Sequence, residues 1–232
     1  INKDDLDLAI SRAIEYQVEG LVIATSRLTS HAFAQCEKFG VHLSLINRYV
    51  GGINANSSGI DNRLAGQQAA EYLTQKGAIQ CAYISGDAGS MTSEERWLGF
   101  SSKLRELGSK PPTFIRAEYK FEAGMEAAKE ILSYTNKPDA IFCANDILAM
   151  GVMDGLRQAG AKIPEDFIVM GVDNIPMSAW PSYDLTTIAQ PVSKIIQKAV
   201  EDLMQRMANN QNATGEYLLE QGTLIERGST IS

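Results

Sequence analysis

The chain has 232 residues, 44% of them hydrophobic and 21% charged, with 28 acids against 21 bases for a net charge of -7. That length buries a sizeable core in one or two domains, and the acidic balance argues against an unaided grip on nucleic acid, which needs clustered Lys and Arg. No apolar run approaches the ~18 residues of a membrane span, and three Cys and two His scattered along the chain suit neither a disulfide framework nor a metal site.

In chain order, Leu6, Ala9, Ile10, Ala13 and Ile14 recur at helical spacing, with Asp4 and Asp5 at the end where a helix dipole favours acids. After Gly20 the run "LVIA" (21–24) predicts a short strand covered on both faces. A helix through Phe33 and Cys36 stops near Gly40, and "VHLSLI" (41–46) predicts a second strand. "GGINANSSG" (51–59), rich in Gly, Asn and Ser, predicts a boundary or hinge. The alternation then repeats: a helix from about Arg63 to Gly77, the strand "CAYIS", a helix carrying Trp97, Phe100, Leu104 and Leu107, and the strand "TFIRAEY". A helix with Gly124, Ala128, Ile131 and Leu132 follows, then the strand "DAIFCA" and a helix from Asp146 to about Ala159 with Gly160 as its C-cap. "FIVMGV" (167–172) predicts a strand that ends in Asp173 and Asn174, and "DLTTIAQP" a β-branched one. A last helix presents Ile196, Ala199, Val200, Leu203 and Met207 on one face, before the polar loop "NNQNATG" and two strand-like pieces, "YLLE" and "GTLIE". Strands alternating with helices that end in Gly predict α/β layers around parallel sheets.

In an open parallel sheet, ligands bind beyond the carboxyl ends of the strands. Polar residues collect there. Thr25, Ser26 and Arg27 follow the first strand, Asn47 and Arg48 the second, and Gly86, Asp87, Ser90 and Thr92 follow "CAYIS". Asn145 and Asp146 follow "AIFCA", and Asp173 and Asn174 follow "IVMGV". Any one of these reads equally well as a polar loop or a helix cap, and for Asp146 capping carries even weight. Together, carboxylate acceptors, guanidinium donors and aromatic faces at Tyr119, Phe121 or Trp180 suit a small polyhydroxylated or heterocyclic ligand. No G-x-S-x-G, P-loop or G-x-G-x-x-G follows a strand, so nothing selects an enzyme. Cys81 and Cys143 lie in apolar runs and predict buried free thiols in a reducing cytosol; the sequons at Asn56 and Asn212 carry little weight.

"SEERWLGF" (93–100), "PDAIFCANDILAMGVMDGLRQAG" (138–160), "IPEDFIVMGVDN" (163–174), "LTTIAQP" and "LIERGST" resemble the lactose-repressor (LacI/GalR) family of bacterial transcription regulators, in order along nearly the whole chain. The resemblance implies a periplasmic-binding-protein-like effector core of two Rossmann-like lobes with parallel sheets, closing on a small molecule. The chain would cross between lobes three times, near 57–61, 189–191 and 219–222. That assigns 1–60 and 190–220 to an N-terminal lobe, and 61–189 and 221–232 to a C-terminal lobe. The N-terminal lobe would be incomplete and the DNA-binding head absent, so that operator DNA is reached only through that head. A cytoplasmic homodimer with no cofactor, no metal and no membrane contact is expected.

Residue by residue, the resemblance implies that Arg96 and Asp173 contact ligand, that Asn145 and Asp146 form the Asn-Asp pair, and that Ser90 and Thr92 lie in a ligand loop. Tyr119 falls where purine-binding relatives place a stacking aromatic, a position it could equally hold as core. Purine-type relatives carry a different pair at Asn47 and Arg48 and an arginine at the position of Ser90, so a sugar or sugar derivative is favoured over a purine. Arg48 with Arg96 leaves room for a phosphate or carboxylate on it. The rival with the same architecture is an exported sugar-binding protein serving a transporter.

Overall fold

A computed structural model describes residues 3–24, 30–48, 53–209 and 215–231. Thr25, Ser26 and Arg27, the start of the glycine-rich stretch at Gly51 and Gly52, and most of the 209–215 loop with the Asn212 sequon lie outside them. The chain divides into two compact units, 1–60 with 191–220 and 61–190 with 221–232. None of the described helices is long and apolar enough to cross a membrane. The three cysteines are free and buried, and desolvation raises the Cys81 thiol to about 12, which keeps it unreactive.

The first unit contains α1 (Lys3–Glu15), β1 (Gly20–Ile23), α2 (Ser30–Lys38), β2 (His42–Ile46) and β3 (Ala55–Ile60). Its sheet is parallel throughout, in the order β1-β2-β3-β9, where β9 (Tyr217–Glu220) follows α7 (Val192–Asn209). One sheet face packs Ile23, Leu43 and Leu45 against Leu6 and Ile10 of α1 and Cys36 of α2; α7 covers the other.

Three expectations are corrected here. β1 is not covered on both faces: it is the sheet edge, and Val22 is 39% exposed. "GGINANSSG" is not simply a hinge, because 55–60 form a buried central strand between β2 and β9. Small residues suit that place, since a Cβ on Gly59 would sit 3.0 Å from Asn47 Oδ1 and 3.1 Å from the Tyr217 hydroxyl. The Asn56 sequon is accordingly structural, its amide bonded to Asp202 of α7. Finally, the buried stripe of α7 is Ile195, Ala199, Leu203 and Arg206, whereas Ile196 and Val200 face outward. The stripe is rotated from the predicted one because Arg206 occupies a core position, where its guanidinium donates to Asn54 Oδ1.

The second unit runs α3 (Asn62–Gln75), β4 (Cys81–Ile84), α4 (Met91–Glu106), β5 (Thr113–Ile115), α5 (Phe121–Ser133), β6 (Ala140–Cys143), α6 (Asp146–Gln158), β7 (Ile168–Asp173), a 3-10 turn (Pro176–Ala179), β8 (Thr186–Ala189) and β10 (Thr223–Ile225). The sheet order is β10-β8-β7-β6-β4-β5. All pairs are parallel except β10 with β8, an antiparallel edge that an all-parallel expectation omits. Strand order reverses beside β4, since β5 lies to one side of it and β6 to the other, and a crevice opens at such a point.

Helices α3 and α4 touch backbone to backbone. A Cβ on Gly66 would lie 2.1 Å from the carbonyl oxygen of Arg96, and one on Gly99 would lie 1.9 Å from that of Arg63. This contact fixes the height of Arg96 over the sheet. Beneath it, Tyr83, Phe100 and Phe142 are fully buried with ring centroids 5.1 to 6.2 Å apart. Burying rings of this size contributes roughly 1.5–3 kcal/mol each.

Candidate functional site

Polar side chains converge at the carboxyl ends of β4, β6 and β7 of the second unit. Arg96, 4% exposed, projects from the second turn of α4. Its Nε donates to Asn62 Oδ1 at 2.8 Å, and its Nη1 donates to the carbonyl of Ala144, just past the end of β6. A buried guanidinium survives because these acceptors replace water. Nη2 remains as the donor for a further acceptor.

Asp173 ends β7, and its Oδ1 accepts from Gln190 Nε2 at 2.6 Å. Burial pushes its carboxyl above the usual aspartate range, while the positive charge of Arg96 and the Gln190 bond pull it back. Asp173 and Arg96 therefore share one electrostatic site. Asn145 follows the end of β6, beside β7, and caps α6, its Oδ1 accepting from the Leu148 N–H at 3.0 Å, which leaves its amide N–H groups as donors.

A hydroxyl cluster adjoins them. Ser90 caps α4, and its Oγ lies 3.0 Å from the Tyr119 hydroxyl and 3.1 Å from Thr92 Oγ1. The Tyr119 ring lies flat over Gly86, where a Cβ would come within 2.1 Å of it. The Tyr119 N–H donates to Asp87 Oδ1 at 3.0 Å, so both ends of the residue are fixed.

Asp146 departs from its expected role as a ligand contact and from the capping role weighed for it. It is wholly buried, Asn145 supplies the cap, and both its oxygens are engaged: Oδ1 by the Thr187 hydroxyl at 2.6 Å and Oδ2 by the Ile175 N–H at 2.9 Å. Burial foremost, with the charge of Asp173, raises its carboxyl to about 7.

Asn47 and Arg48 belong to the first unit. Asn47 adopts a left-handed φ of 55°, its N–H donates to the Ser58 carbonyl at 2.8 Å, and the Arg48 carbonyl accepts from the Ser57 hydroxyl. They form a polar end to β2 and β3, separate in the chain's division from the cluster just described. Of the aromatics, Trp180 is half exposed after the 3-10 turn and Phe121 opens α5. Asn62, Gln190 and Thr187 were missed in the sequence, whereas Gly86 was already placed directly behind the strand "CAYIS". The three missed residues act on partners 34, 17 and 41 residues away in a direction no periodicity encodes. No group of His, Cys, Asp and Glu among the described residues could hold a metal ion.

The chain matches the periplasmic binding protein-like domain over residues 70–230. It is 30% identical over 230 residues to the HTH-type transcriptional repressor CytR of Escherichia coli K12, covering 98% of this chain and 66% of that protein. It is 30% identical over 202 residues to the HTH-type transcriptional repressor PurR of Aliivibrio salmonicida, covering 85% of this chain and 60% of the relative. The chain thus spans just under two thirds of the length of these relatives. Among solved structures, a LacI family transcriptional regulator from Enterococcus faecalis V583 with bound ribose superposes with a TM-score of 0.85 at 28% identity, over 99% of this chain and 82% of that one.

Proposed function

From the premise that this chain belongs to the periplasmic binding protein-like domain family, we propose that it is the effector-binding core of a LacI-type transcriptional regulator, and that its effector is a sugar or sugar derivative. The observation that carries the reading is the meeting, where strand order reverses in the second unit, of a buried guanidinium, a half-buried carboxylate, an amide and three hydroxyls. A polyhydroxylated guest needs both acceptors and donors closely spaced, and Asp173 supplies the first while Arg96 Nη2 and Asn145 supply the second. The hydroxyls of Ser90, Thr92 and Tyr119 act as either. The set is one of binding and not of turnover. Relatives of the chain are named repressors, which favours this reading over an exported transport protein.

Operator DNA and a second copy of the chain are the partners proposed for the whole protein. Effector binding stabilises one conformation over another, and a coupling of roughly 1–3 kcal/mol changes operator affinity about 5–150-fold.

The test is calorimetric titration with D-ribose first, because the Enterococcus regulator holds ribose, then with further sugars, cytidine and hypoxanthine. Asp173→Ala and Arg96→Ala are each expected to weaken binding of the sugar at least about 10-fold, the order expected when a hydrogen bond to a charged group is lost. Undiminished affinity in both variants removes the site; tight hypoxanthine binding with no sugar binding replaces the effector class.

A further inference from the structure

The turn after β7 is built from residues ill suited to it. Asp173 has φ 121° and Asn174 has φ 55°, so two successive non-glycine residues lie in the left-handed half of the map. Asn tolerates that region better than most, but Asp at φ 121° does not adopt it without outside support. The support comes largely from one buried side chain. Asp146 Oδ2 accepts from the Ile175 N–H at 2.9 Å, and Asp146 Oδ1 accepts from the Thr187 hydroxyl at 2.6 Å. Thr187 Oγ1 in turn accepts from the Asn174 N–H at 3.3 Å. The Asp146 carboxylate can reach the turn only because β7 carries glycine opposite it: a Cβ on Gly171 would lie 2.3 Å from Asp146 Oδ1. Its own helix does not need it, since Asn145 supplies the cap.

We propose that Asp146 is a positioning residue, which never touches the effector but holds the left-handed Asp173–Asn174 turn and thereby aims the Asp173 carboxylate. The link to effector affinity rests on the function proposed above; the hold on the turn does not. Arg227 braces the same turn from the other side, its Nη2 donating to Asn174 Oδ1 at 2.7 Å and its Nη1 to the Leu185 carbonyl at 2.7 Å. Arg227 grips the Asn174 side chain, whereas Asp146 takes the backbone N–H groups directly and through Thr187. Loss of Asp146 is therefore the change that frees the main chain.

The experiment measures amide hydrogen exchange in the full chain for the wild type, Asp146→Asn and Asp146→Ala. The Leu148 N–H, held by Asn145, is the internal reference. Exchange at Asn174 and Ile175 is expected to accelerate at least about 10-fold relative to Leu148 in Asp146→Ala, and by less in Asp146→Asn, which keeps one acceptor oxygen. A general loss of stability would speed all three amides together. Should Asp146→Ala fail to fold, the isosteric Asn variant carries the comparison. D-ribose titration of Asp146→Asn, Asp173→Asn and the double variant adds the functional arm. The double variant is expected to bind no more weakly than Asp173→Asn alone, because Asp146 acts through Asp173. Unchanged protection of Asn174 and Ile175 relative to Leu148, or additive losses of affinity, overturns the proposal. If the wild type binds no ribose, that result counts against the effector reading, and the exchange measurement alone decides the turn.

Discussion

Asp173 carries two burdens, a half-buried carboxylate and a backbone conformation that glycine adopts freely and aspartate does not. Substitution separates them. Asp173→Ala and Asp173→Gly both remove the carboxylate, its bond from Gln190 and its attraction to Arg96, so both are expected to lose effector affinity alike. They differ in the main chain alone, because at φ 121° a Cβ is strained and a hydrogen is not. Asp173→Gly is therefore expected to be more stable than Asp173→Ala by about 1 kcal/mol in urea unfolding. Equal stabilities would mean that the turn relaxes out of the left-handed region once the carboxylate is gone. At this scale part of the arrangement was legible: Asp173 and Asn174 follow an apolar strand as the sequence predicts, whereas Arg96 was singled out only by the resemblance that "SEERWLGF" carries. The role of Asp146 was not. Sequence shows that a polar residue follows a strand but not which way it points, and Asp146 points inward to Thr187, 41 residues later.

Between elements, two glycines hold the site by opposite means. Gly99 lets α4 approach the backbone of Arg63 on α3, and a Cβ there would meet a main-chain oxygen at 1.9 Å. Gly86 lets the Tyr119 ring lie on the loop after β4, and a Cβ there would first meet that side chain, at 2.1 Å. Backbone does not yield as a ring can. Gly99→Ala is thus expected to cost about 1–3 kcal/mol and to weaken effector binding by shifting Arg96, with no rescuing partner. Gly86→Ala is expected to be costly in the wild type and nearly neutral in a Tyr119→Ala background, a coupling that a double-mutant cycle in thermal unfolding reads directly. The succession of strands and helices was legible because apolar runs and helical spacing are local. β3 was not, because a strand at the centre of a small sheet, crowded by Asn47 and Tyr217, needs small residues, and Ala-Asn-Ser-Ser-Gly has the composition of a loop. The buried stripe of α7 was misplaced for a related reason: an arginine, Arg206, holds a core position and turns the helix away from its most apolar face.

Among the described residues the carboxyls with shifted titration fall into two sets with opposite pH behaviour. Glu118, Glu220 and Glu226 have lowered carboxyls, each drawn down by a surface hydrogen bond, with Lys120, Lys198 and, for Glu226, first Tyr72 and then Lys76. What they contribute is present at neutral pH and lost as pH falls through the range of ordinary carboxylates, and solvent screening keeps it small. Asp146 is the reverse, with its folded-state carboxyl at about 7 against 3.8 for an ordinary aspartate. Between those values the folded chain holds a proton that the unfolded chain has released. Stability linked to this group therefore falls as pH rises from about 4 to about 7 and is level above that, by an amount on the order of 1–4 kcal/mol. Asp173, Glu95 and Asp202, each raised first by burial, add in the same direction. The net expectation is that the midpoint of thermal unfolding rises as pH is lowered from 8 towards 5 and declines only further into acid, where the exposed pairs titrate. Asp146→Asn removes the proton uptake while keeping the shape, so its melting temperature should be flatter over pH 5–8. A slope in that variant equal to the wild type's would assign the dependence to other groups and place the Asp146 carboxylate in a better solvated setting than its burial and two hydrogen bonds describe.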